Sequence, residues 1–159
     1  MDCDGVLTDG RITLLPNGDE QKTFHVRDGQ GIVLLHRVGL RSGIISGRSS
    51  SLVERRAKEL GIEFIRQGTW NKLDDFEEII GEIGLTPAET AFIGDDIADI
   101  SVMLRVGLAV AVADATSETK TVAHLITSSN GGEGAVRETT DFILKSQEKW
   151  DAATKQYFA

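Results

Sequence analysis

The segment Asp2-Cys3-Asp4-Gly5-Val6-Leu7-Thr8-Asp9-Gly10 places two carboxylates one residue apart, directly before a glycine turn. In an extended chain this spacing points both side chains to the same face, because strand side chains alternate with a period of two. Two carboxylates held together repel each other, so the pair needs a bound cation or a proton. The segment therefore predicts a strand end that carries a reactive acid pair, although short acidic pairs are also common in solvated loops.

Three later segments place polar side chains at the expected ends of strands or at the start of a helix. Ile44-Ile45-Ser46-Gly47-Arg48 ends in a small hydroxyl, Asn71-Lys72-Leu73 places a lysine at the expected start of a helix, and residues 92–99 stop at acids. Magnesium-dependent phosphoryl transfer requires a carboxylate nucleophile, metal ligands, and neutral and cationic donors for the phosphate oxygens. Together with the acid pair, these segments predict such a site.

Short apolar runs alternate with amphipathic segments along the chain, which is typical of an α/β sheet covered by helices. We predict a three-layer, Rossmann-like parallel sheet with helices on both faces. No cap domain is expected, because the gaps between successive polar segments are too short to hold one. The predicted strands are Leu40–Ser46, Glu63–Ile65, Thr90–Ile93, Leu108–Val112 and Leu125–Ile126. The predicted helices are Gln30–Val38, Ser50–Leu60, Lys72–Ile83, Ala98–Val106, Glu118–Ala123 and Ala135–Trp150.

A β-hairpin is predicted after the first strand. Arg11–Leu15 and Gln21–Val26 flank Pro16-Asn17-Gly18-Asp19, and Asn-Gly is the strongest short-range hairpin signal. An isolated hairpin is marginal in water, so we expect residues 11–26 to pack on the body or on a neighbouring subunit as a flap. The whole chain, residues 1–159, is expected to form one domain. Because only Met1 precedes the acid pair, we expect the first strand either to begin upstream of this sequence or to be unusually short, and we favour the former.

Composition limits the classes of partner. A net charge of −8 argues against nucleic acid or an anionic membrane as the main partner. An anionic small molecule stays possible, because local arginines and a metal ion can invert the field inside a cleft. The single cysteine, Cys3, excludes an intrachain disulfide, which is consistent with a cytoplasmic location. No apolar stretch approaches membrane-spanning length.

The polar segments resemble the four motifs of the haloacid dehalogenase superfamily of phosphotransferases. These motifs are Asp2-x-Asp4-Gly5-Val6, Ser46, Lys72 and Gly94-Asp95-Asp96-x-x-Asp99. Within the superfamily, the chain more closely resembles the capless 3-deoxy-D-manno-octulosonate 8-phosphate (Kdo 8-phosphate) phosphatases. The segments that carry this similarity are Asp4–Gly10, Phe24–Gly29, Ile45–Arg48, Gly94–Asp96 and Gly131–Glu138. The resemblance implies hydrolysis of a sugar-acid phosphate, most simply Kdo 8-phosphate in lipopolysaccharide precursor synthesis.

The resemblance also implies roles for the acids. Asp2 would attack phosphorus and form an aspartyl-phosphate, while Asp4 would protonate the leaving oxygen and then activate water. Asp2, the main-chain carbonyl of Asp4, and Asp95 would hold Mg2+. Asp96 and Asp99 would support these metal ligands from behind.

Other residues are implied in binding the substrate. Ser46 and Lys72 would contact the transferring oxygens, and arginine suits both the carboxylate and the phosphate of a sugar-acid phosphate. The substrate-binding residues implied by the resemblance are His25, Arg27, Asp28, Gly29, Gly47, Arg48, Arg56 and Lys72. An uncapped site needs closure from elsewhere, and the resembled family assembles as a homotetramer with shared active sites.

Three alternatives stay open. The substrate could be a 2-keto-3-deoxy-nononate 9-phosphate instead of Kdo 8-phosphate. The chain could be a receiver-like phosphoacceptor. Receivers place an acid pair at the first strand and the phosphoacceptor at a later one, whereas this chain has Asp2-x-Asp4-Gly5 at the first strand and Gly94-Asp95-Asp96 at the fourth, which favours the enzyme. It could also be a non-catalytic oligomerisation module, although the complete set of acids, hydroxyl and lysine favours an enzyme.

Overall fold

A parallel sheet forms the centre of the protein, described for residues 1–158 by a computed structural model; Ala159 lies outside the described residues. The strands are β1 (Thr13–Leu14), β2 (Glu20–Gln21), β3 (Gly43–Ser46), β4 (Phe64–Gln67), β5 (Ala91–Gly94), β6 (Leu108–Ala111) and β7 (Leu125–Ile126). Strand β3 pairs in parallel with β4, and β6 pairs in parallel with both β5 and β7. Parallel neighbours require crossover connections, which the helices supply.

The first two residues of the sequence join these two groups of strands. The Ile45 N–H donates to the carbonyl of Met1 at 3.0 Å, and the Asp2 N–H donates to the carbonyl of Ile93 at 3.0 Å. Residues 1–2 therefore lie between β3 and β5, and the order across the sheet is β4, β3, residues 1–2, β5, β6, β7. This position puts Asp2 at the middle of the sheet.

Helices lie on both faces of the sheet, as predicted. They are α1 (Val26–Arg37), α2 (Ser51–Leu60), α3 (Lys72–Ile83), α4 (Ile100–Met103), α5 (Ser117–Val122), α6 (Ala135–Ser146) and α7 (Trp150–Thr154). Helix α1 packs against α6, α2 and α7, whereas α4 packs against α3 and α5. The α/β class is confirmed, and no cap domain is inserted within residues 1–158. In the same range, no helix combines the length and the apolar character needed to cross a membrane.

Helix α1 begins at Val26, earlier than the predicted Gln30, because packing overrides the low helix propensity of two glycines. A Cβ at Gly29 would lie 2.5 Å from Nη2 of Arg56 in α2, and a Cβ at Gly31 would lie 2.2 Å from Oγ1 of Thr140 in α6. The glycines therefore allow α1 to approach both neighbouring helices closely. The prediction that Val26 ends the second hairpin arm was wrong, because β2 ends at Gln21 and Val26 is the first residue of α1.

The predicted last helix, Ala135–Trp150, was also too long. Helix α6 ends at Ser146, and Glu148 takes a left-handed conformation with φ of 56°. The Lys149 N–H then donates to the carbonyl of Leu144 at 2.8 Å, which closes the helix end. Because position 148 is a glutamate and not a glycine, the sequence carries no ordinary signal for the end of the helix there. The turn sends α7 back against α1 and α6.

The hairpin and α4 are shorter than predicted. Pairing in the hairpin is limited to Thr13 with Gln21 and Leu14 with Glu20, in antiparallel register. The predicted helix Ala98–Val106 is a tight 3-10 turn over residues 97–99 followed by α4. The buried carboxylate of Asp99 accepts backbone N–H groups at the start of that turn and so keeps the turn tight.

Candidate active site

The predicted polar residues gather at the carboxyl edge of the sheet. Ser46 is the last residue of β3, Asp95 directly follows β5, and Asp2 lies between these strands. Lys72 is the first residue of α3, the helix that follows β4. In open parallel sheets this edge is where ligands bind, because the strand ends and the following loops form a crevice there.

Lys72 connects two of the acids. Its Nζ donates to Oδ1 of Asp2 and to Oδ1 of Asp99, each at 2.7 Å, and its side chain is 8% exposed. Burial alone would lower the pKa of the Lys72 ammonium, but the charges and hydrogen bonds of the two aspartates outweigh burial and raise that pKa. Lys72 is therefore a fixed positive charge at neutral pH.

The two aspartates that contact this ammonium group form a cluster with a third, Asp95. Oxygen atoms of Asp2, Asp95 and Asp99 lie within 4.8 Å of one another. Burial raises the pKa of Asp2, and the charge of Asp99 raises it further. Burial, followed by the charges of Asp2 and Asp99, raises the pKa of Asp95 to about 8. Oδ1 of Asp95 is buried and has no hydrogen-bond partner within residues 1–158. A single lysine leaves the cluster with excess negative charge, so these oxygens fit a hard divalent cation such as Mg2+.

Asp99 and Asp96 have different surroundings. Oδ2 of Asp99 accepts the Asp95 N–H at 3.0 Å and the Asp96 N–H at 3.3 Å, and its other oxygen accepts from Lys72. Asp99 is therefore well placed to orient both Asp95 and Lys72. Asp96 is exposed and accepts the Ile97 N–H at 2.7 Å, which caps the 3-10 turn. The structure thus gives Asp96 a capping contact, and the predicted supporting roles of both acids stay predictions.

Asp4 lies on a tight turn that follows Asp2. The carbonyl of Cys3 accepts three successive N–H groups, from residues 6–8, and Gly5 has φ of 99°. A Cβ at Gly5 would lie 2.1 Å from Oδ2 of Asp95, so only glycine allows the turn to pass this acid. The Asp4 carboxylate contacts Nζ of Lys22, and its Oδ2 lies 3.6 Å from Nε of Arg48.

The segment Ser46-Gly47-Arg48, which begins at the last residue of β3, lies beside Asp4. Ser46 is 3% exposed, and its Oγ accepts the Arg48 N–H at 3.4 Å. Gly47 is exposed, and a Cβ there would meet only the carbonyl of Thr69, at 3.6 Å. Arg48 contacts Glu20 of the hairpin as well as Asp4. The structure therefore places Arg48, a predicted substrate residue, next to the predicted acid–base residue.

Comparisons with known proteins show the family to which the chain belongs. The family model for haloacid dehalogenase-like hydrolases matches residues 62–138. The 3-deoxy-D-manno-octulosonate 8-phosphate phosphatase of Yersinia pestis is 45% identical over 153 residues, covering 96% of this chain and 82% of the relative. The chain belongs to the haloacid dehalogenase-like hydrolase family. Membership confirms the predicted superfamily and its fold.

Two solved structures of this family superpose closely on the chain. A probable phosphatase from Pseudomonas syringae is 47% identical with a TM-score of 0.97, covering 99% of this chain and 90% of that one. The Moraxella catarrhalis 3-deoxy-D-manno-octulosonate 8-phosphate phosphatase, solved with magnesium, phosphate and Kdo, is 41% identical with a TM-score of 0.96 and the same coverage. Their similarity extends over nearly the whole described chain.

Five of the predicted substrate residues form a second group around the amino end of α1. Oδ1 of Asp28 accepts the Arg137 N–H at 2.8 Å, and Arg56 pairs with Glu59 at 3.4 Å. Nδ1 of His25, Oδ2 of Asp28 and Nε of Arg56 are buried without partners within residues 1–158. Gly29 packs against Arg56, and Arg27 is exposed. The structure gives this group helix-packing contacts, and its role in substrate binding stays a prediction.

The glycine loop at residues 131–134 supports the turn that carries Asp4. A Cβ at Gly131 would lie 1.7 Å from the carbonyl oxygen of Gly5, and a Cβ at Gly132 would lie 2.4 Å from the nitrogen of Asp9. The Gly132 N–H donates to the carbonyl of Val6 at 2.9 Å. The loop therefore holds the acid-bearing turn through backbone contacts that require glycine.

Sequence reasoning missed one residue of this site, Lys22, whose side chain is buried. The available signal was the alternation of Glu20 and Lys22 about the exposed Gln21, which puts both charged side chains on one face of the hairpin arm. That signal shows a shared face, but it does not reveal that this face meets Asp4.

Proposed function

We propose that this chain is a Mg2+-dependent phosphatase that converts Kdo 8-phosphate to Kdo and phosphate. The observation that carries the proposal is the buried cluster in which Lys72 joins Asp2 and Asp99 beside Asp95, with Asp4 on the adjoining turn. The names of the relatives from Y. pestis and M. catarrhalis supply the substrate. The proposal extends to this chain what those names state for those proteins.

The reaction has two steps at the Asp2 carboxylate. In the first, an Asp2 oxygen forms a bond to phosphorus while the bond from phosphorus to the sugar oxygen breaks, and Asp4 gives that oxygen its proton. In the second, Asp4 takes a proton from water as the water oxygen bonds to phosphorus, which releases phosphate and restores Asp2. Lys72 holds one oxygen of Asp2 at 2.7 Å and so limits rotation of the nucleophile.

The other residues receive the substrate. Asp2, Asp95 and the main-chain carbonyl of Asp4 would hold Mg2+, which when bound offsets the repulsion between a carboxylate nucleophile and a phosphate dianion. Ser46 supplies a hydroxyl for the phosphate oxygens, and Arg48 supplies a guanidinium suited to an oxyanion. Six further residues are proposed to bind the substrate: His25, Arg27, Asp28, Gly29, Gly47 and Arg56.

We also propose one domain over residues 1–159, a cytoplasmic location, and a homo-oligomer, with a tetramer as the expected state. Support for the oligomer comes from the apolar side chains that the hairpin exposes, with Ile12 54% and Leu14 71% exposed. Large apolar side chains on a hairpin are well suited to an interface with another subunit. Sedimentation velocity of the purified chain measures the assembly, and a monomer at micromolar concentration would contradict it.

The test compares turnover of Kdo 8-phosphate and a 2-keto-3-deoxy-nononate 9-phosphate by the wild type, Asp2→Asn and Asp74→Asn, with Mg2+ and with EDTA. Asp74 is an exposed acid in the first turn of α3 and serves as the matched control. We expect kcat/KM to be highest on Kdo 8-phosphate and to be lost in EDTA. Asp2→Asn should lower kcat by at least about 10³-fold because the nucleophile is gone, whereas Asp74→Asn should keep wild-type turnover.

Other outcomes select the alternatives. Preference for the nine-carbon phosphate would replace the substrate and keep the chemistry. A stable phosphoryl group on the wild type without turnover would favour a phosphoacceptor. Full activity of Asp2→Asn would refute the nucleophile assignment.

A further inference from the structure

Lys22 is a lysine whose side chain is buried and whose charge contacts the acid–base residue Asp4. It directly follows β2 in the hairpin, its side chain is only 4% exposed, and its Nζ donates to Oδ1 of Asp4. Lysine is rarely buried unless its charge is paired, because removing an ammonium group from water is costly. This contact therefore explains why the hairpin arm turns Lys22 inward.

Asp4 is held from more than one side. Its side chain is 20% exposed, Oγ1 of Thr8 lies 3.5 Å from Oδ1, and Nε of Arg48 lies 3.6 Å from Oδ2. Arg48 in turn contacts Glu20, which lies two residues before Lys22 on the same face of the arm. Lys22 and Thr8 thus hold one oxygen, and the other faces a half-exposed arginine.

We propose that Lys22 is a positioning residue for Asp4. By holding Oδ1, it fixes the rotation of the carboxylate and presents Oδ2 on the side of Arg48, where the leaving group must lie if Arg48 binds substrate. The inference rests on the proposed function, because it gives Asp4 the proton transfers described above. Misplacing a reacting group by about 1 Å costs about 10²-fold in rate, so removing Lys22 should lower kcat by that order.

The experiment compares Lys22→Met, Lys22→Arg and the control Lys58→Met on two substrates. Lys58 is an exposed lysine of α2 for which no ion pair is found within residues 1–158. An alkyl phosphate such as Kdo 8-phosphate has a strongly basic leaving oxygen that needs a proton from Asp4. With p-nitrophenyl phosphate the leaving group needs no proton, so the burst of p-nitrophenolate reports the first step without Asp4.

For Lys22→Met we expect kcat on Kdo 8-phosphate to fall about 10²-fold, KM to change less than about threefold, and the burst rate to stay within about threefold of wild type. Lys22→Arg should recover at least about tenfold of the loss, because it keeps a cation near Oδ1. Lys58→Met should match the wild type. In Asp4→Asn, adding Lys22→Met should cause no further loss, since both changes act through one group.

Four results would overturn the proposal. They are unchanged kcat for Lys22→Met, a burst that falls as far as turnover, a raised KM with unchanged kcat, and additive losses in the double variant. Thermal unfolding of each variant identifies a folding defect. If Lys22→Met has such a defect, the kcat of Lys22→Arg alone tests the proposal. If the wild type does not hydrolyse Kdo 8-phosphate, the proposed function fails separately. The Lys22 comparison then uses glycerol phosphate as the alkyl phosphate.

Discussion

Replacing Lys72 with methionine would remove the only cation that touches the acid cluster within the described residues. Lys72 is 8% exposed and donates to both Asp2 and Asp99 at 2.7 Å. Methionine has a similar length and is apolar, so the change removes the charge while largely preserving the packing. The variant therefore isolates the electrostatic contribution of Lys72 to the fold.

The expected loss in the free energy of unfolding arises because Lys72→Met leaves buried carboxylates without a compensating positive charge. Removing one partner of a buried ion pair costs about 3–5 kcal/mol, and Asp2 and Asp99 are 8% and 1% exposed in their side chains. We therefore expect Lys72→Met to lower the free energy of unfolding by about 3–5 kcal/mol in EDTA. Because Asp99→Asn removes one of the stranded charges, Lys72→Met should cost at least about 2 kcal/mol less in that background.

The assay is urea unfolding, followed by circular dichroism, of the wild type, Lys72→Met, Asp99→Asn and the double variant, all in EDTA at neutral pH. Lys58→Met again serves as the control and should stay within about 0.5 kcal/mol of wild type. Saturating Mg2+ should narrow the difference between Lys72→Met and wild type, because a cation in the cluster offsets the same charges. Activity should still be lost, since Mg2+ does not reproduce the hydrogen bond to Asp2.

Two results would refute this reasoning. Equal unfolding free energies of wild type and Lys72→Met in EDTA would mean that the cluster does not depend on the lysine charge. Strict additivity in the double variant would mean that Lys72 and Asp99 do not interact, which contradicts their 2.7 Å contact.

Two further predictions concern the supports of the site. Gly131→Ala should lower stability by about 1–3 kcal/mol and reduce turnover, because its Cβ would lie 1.7 Å from the Gly5 oxygen. Gly81→Ala, whose Cβ would meet nothing within 4 Å, should instead gain about 0.5–1 kcal/mol, and equal effects in urea unfolding would contradict the account. Burial raises the pKa of Asp28 above its ordinary 3.8, so the folded state binds this proton more tightly than the unfolded chain does. The contribution of this proton to the free energy of unfolding is present below pH 3.8 and is lost as pH rises through the pKa of Asp28 in the folded state. Asp28→Asn, which keeps an acceptor for the Arg137 N–H, should therefore gain in melting temperature relative to wild type between about pH 4 and pH 7. A difference that does not change with pH would contradict this sign.

Local patterns were enough to predict which side chains gather at the carboxyl edge of the sheet. Asp2, Ser46 and Asp95 each end or follow an apolar run, and parallel strands bring such ends to one edge. Lys72 was placed correctly at the start of a helix, because Asn71 precedes it as a helix cap. These inferences needed only short-range patterns and the rule that strand ends meet.

Element ends were predicted less well where long-range packing decides them. Gly29 and Gly31 lie inside α1 because their missing side chains let other helices approach, which cannot be read from residues 26–37 alone. Glu148 ends α6 in a conformation that its residue type rarely adopts. For the two glycines a distant contact overrides the local preference, whereas the turn at Glu148 is closed by a local hydrogen bond from Lys149 to Leu144.

The sequence by itself determined the α/β class, the order of acid pair, hydroxyl, lysine and acid, and the edge at which they meet. Only the tertiary structure decided which charges touch: Lys72 with Asp2 across 70 positions, and Lys22 with Asp4 across 18. The physical reason is that periodicity fixes the face on which a side chain lies. The partner of a buried charge depends on how separate segments pack.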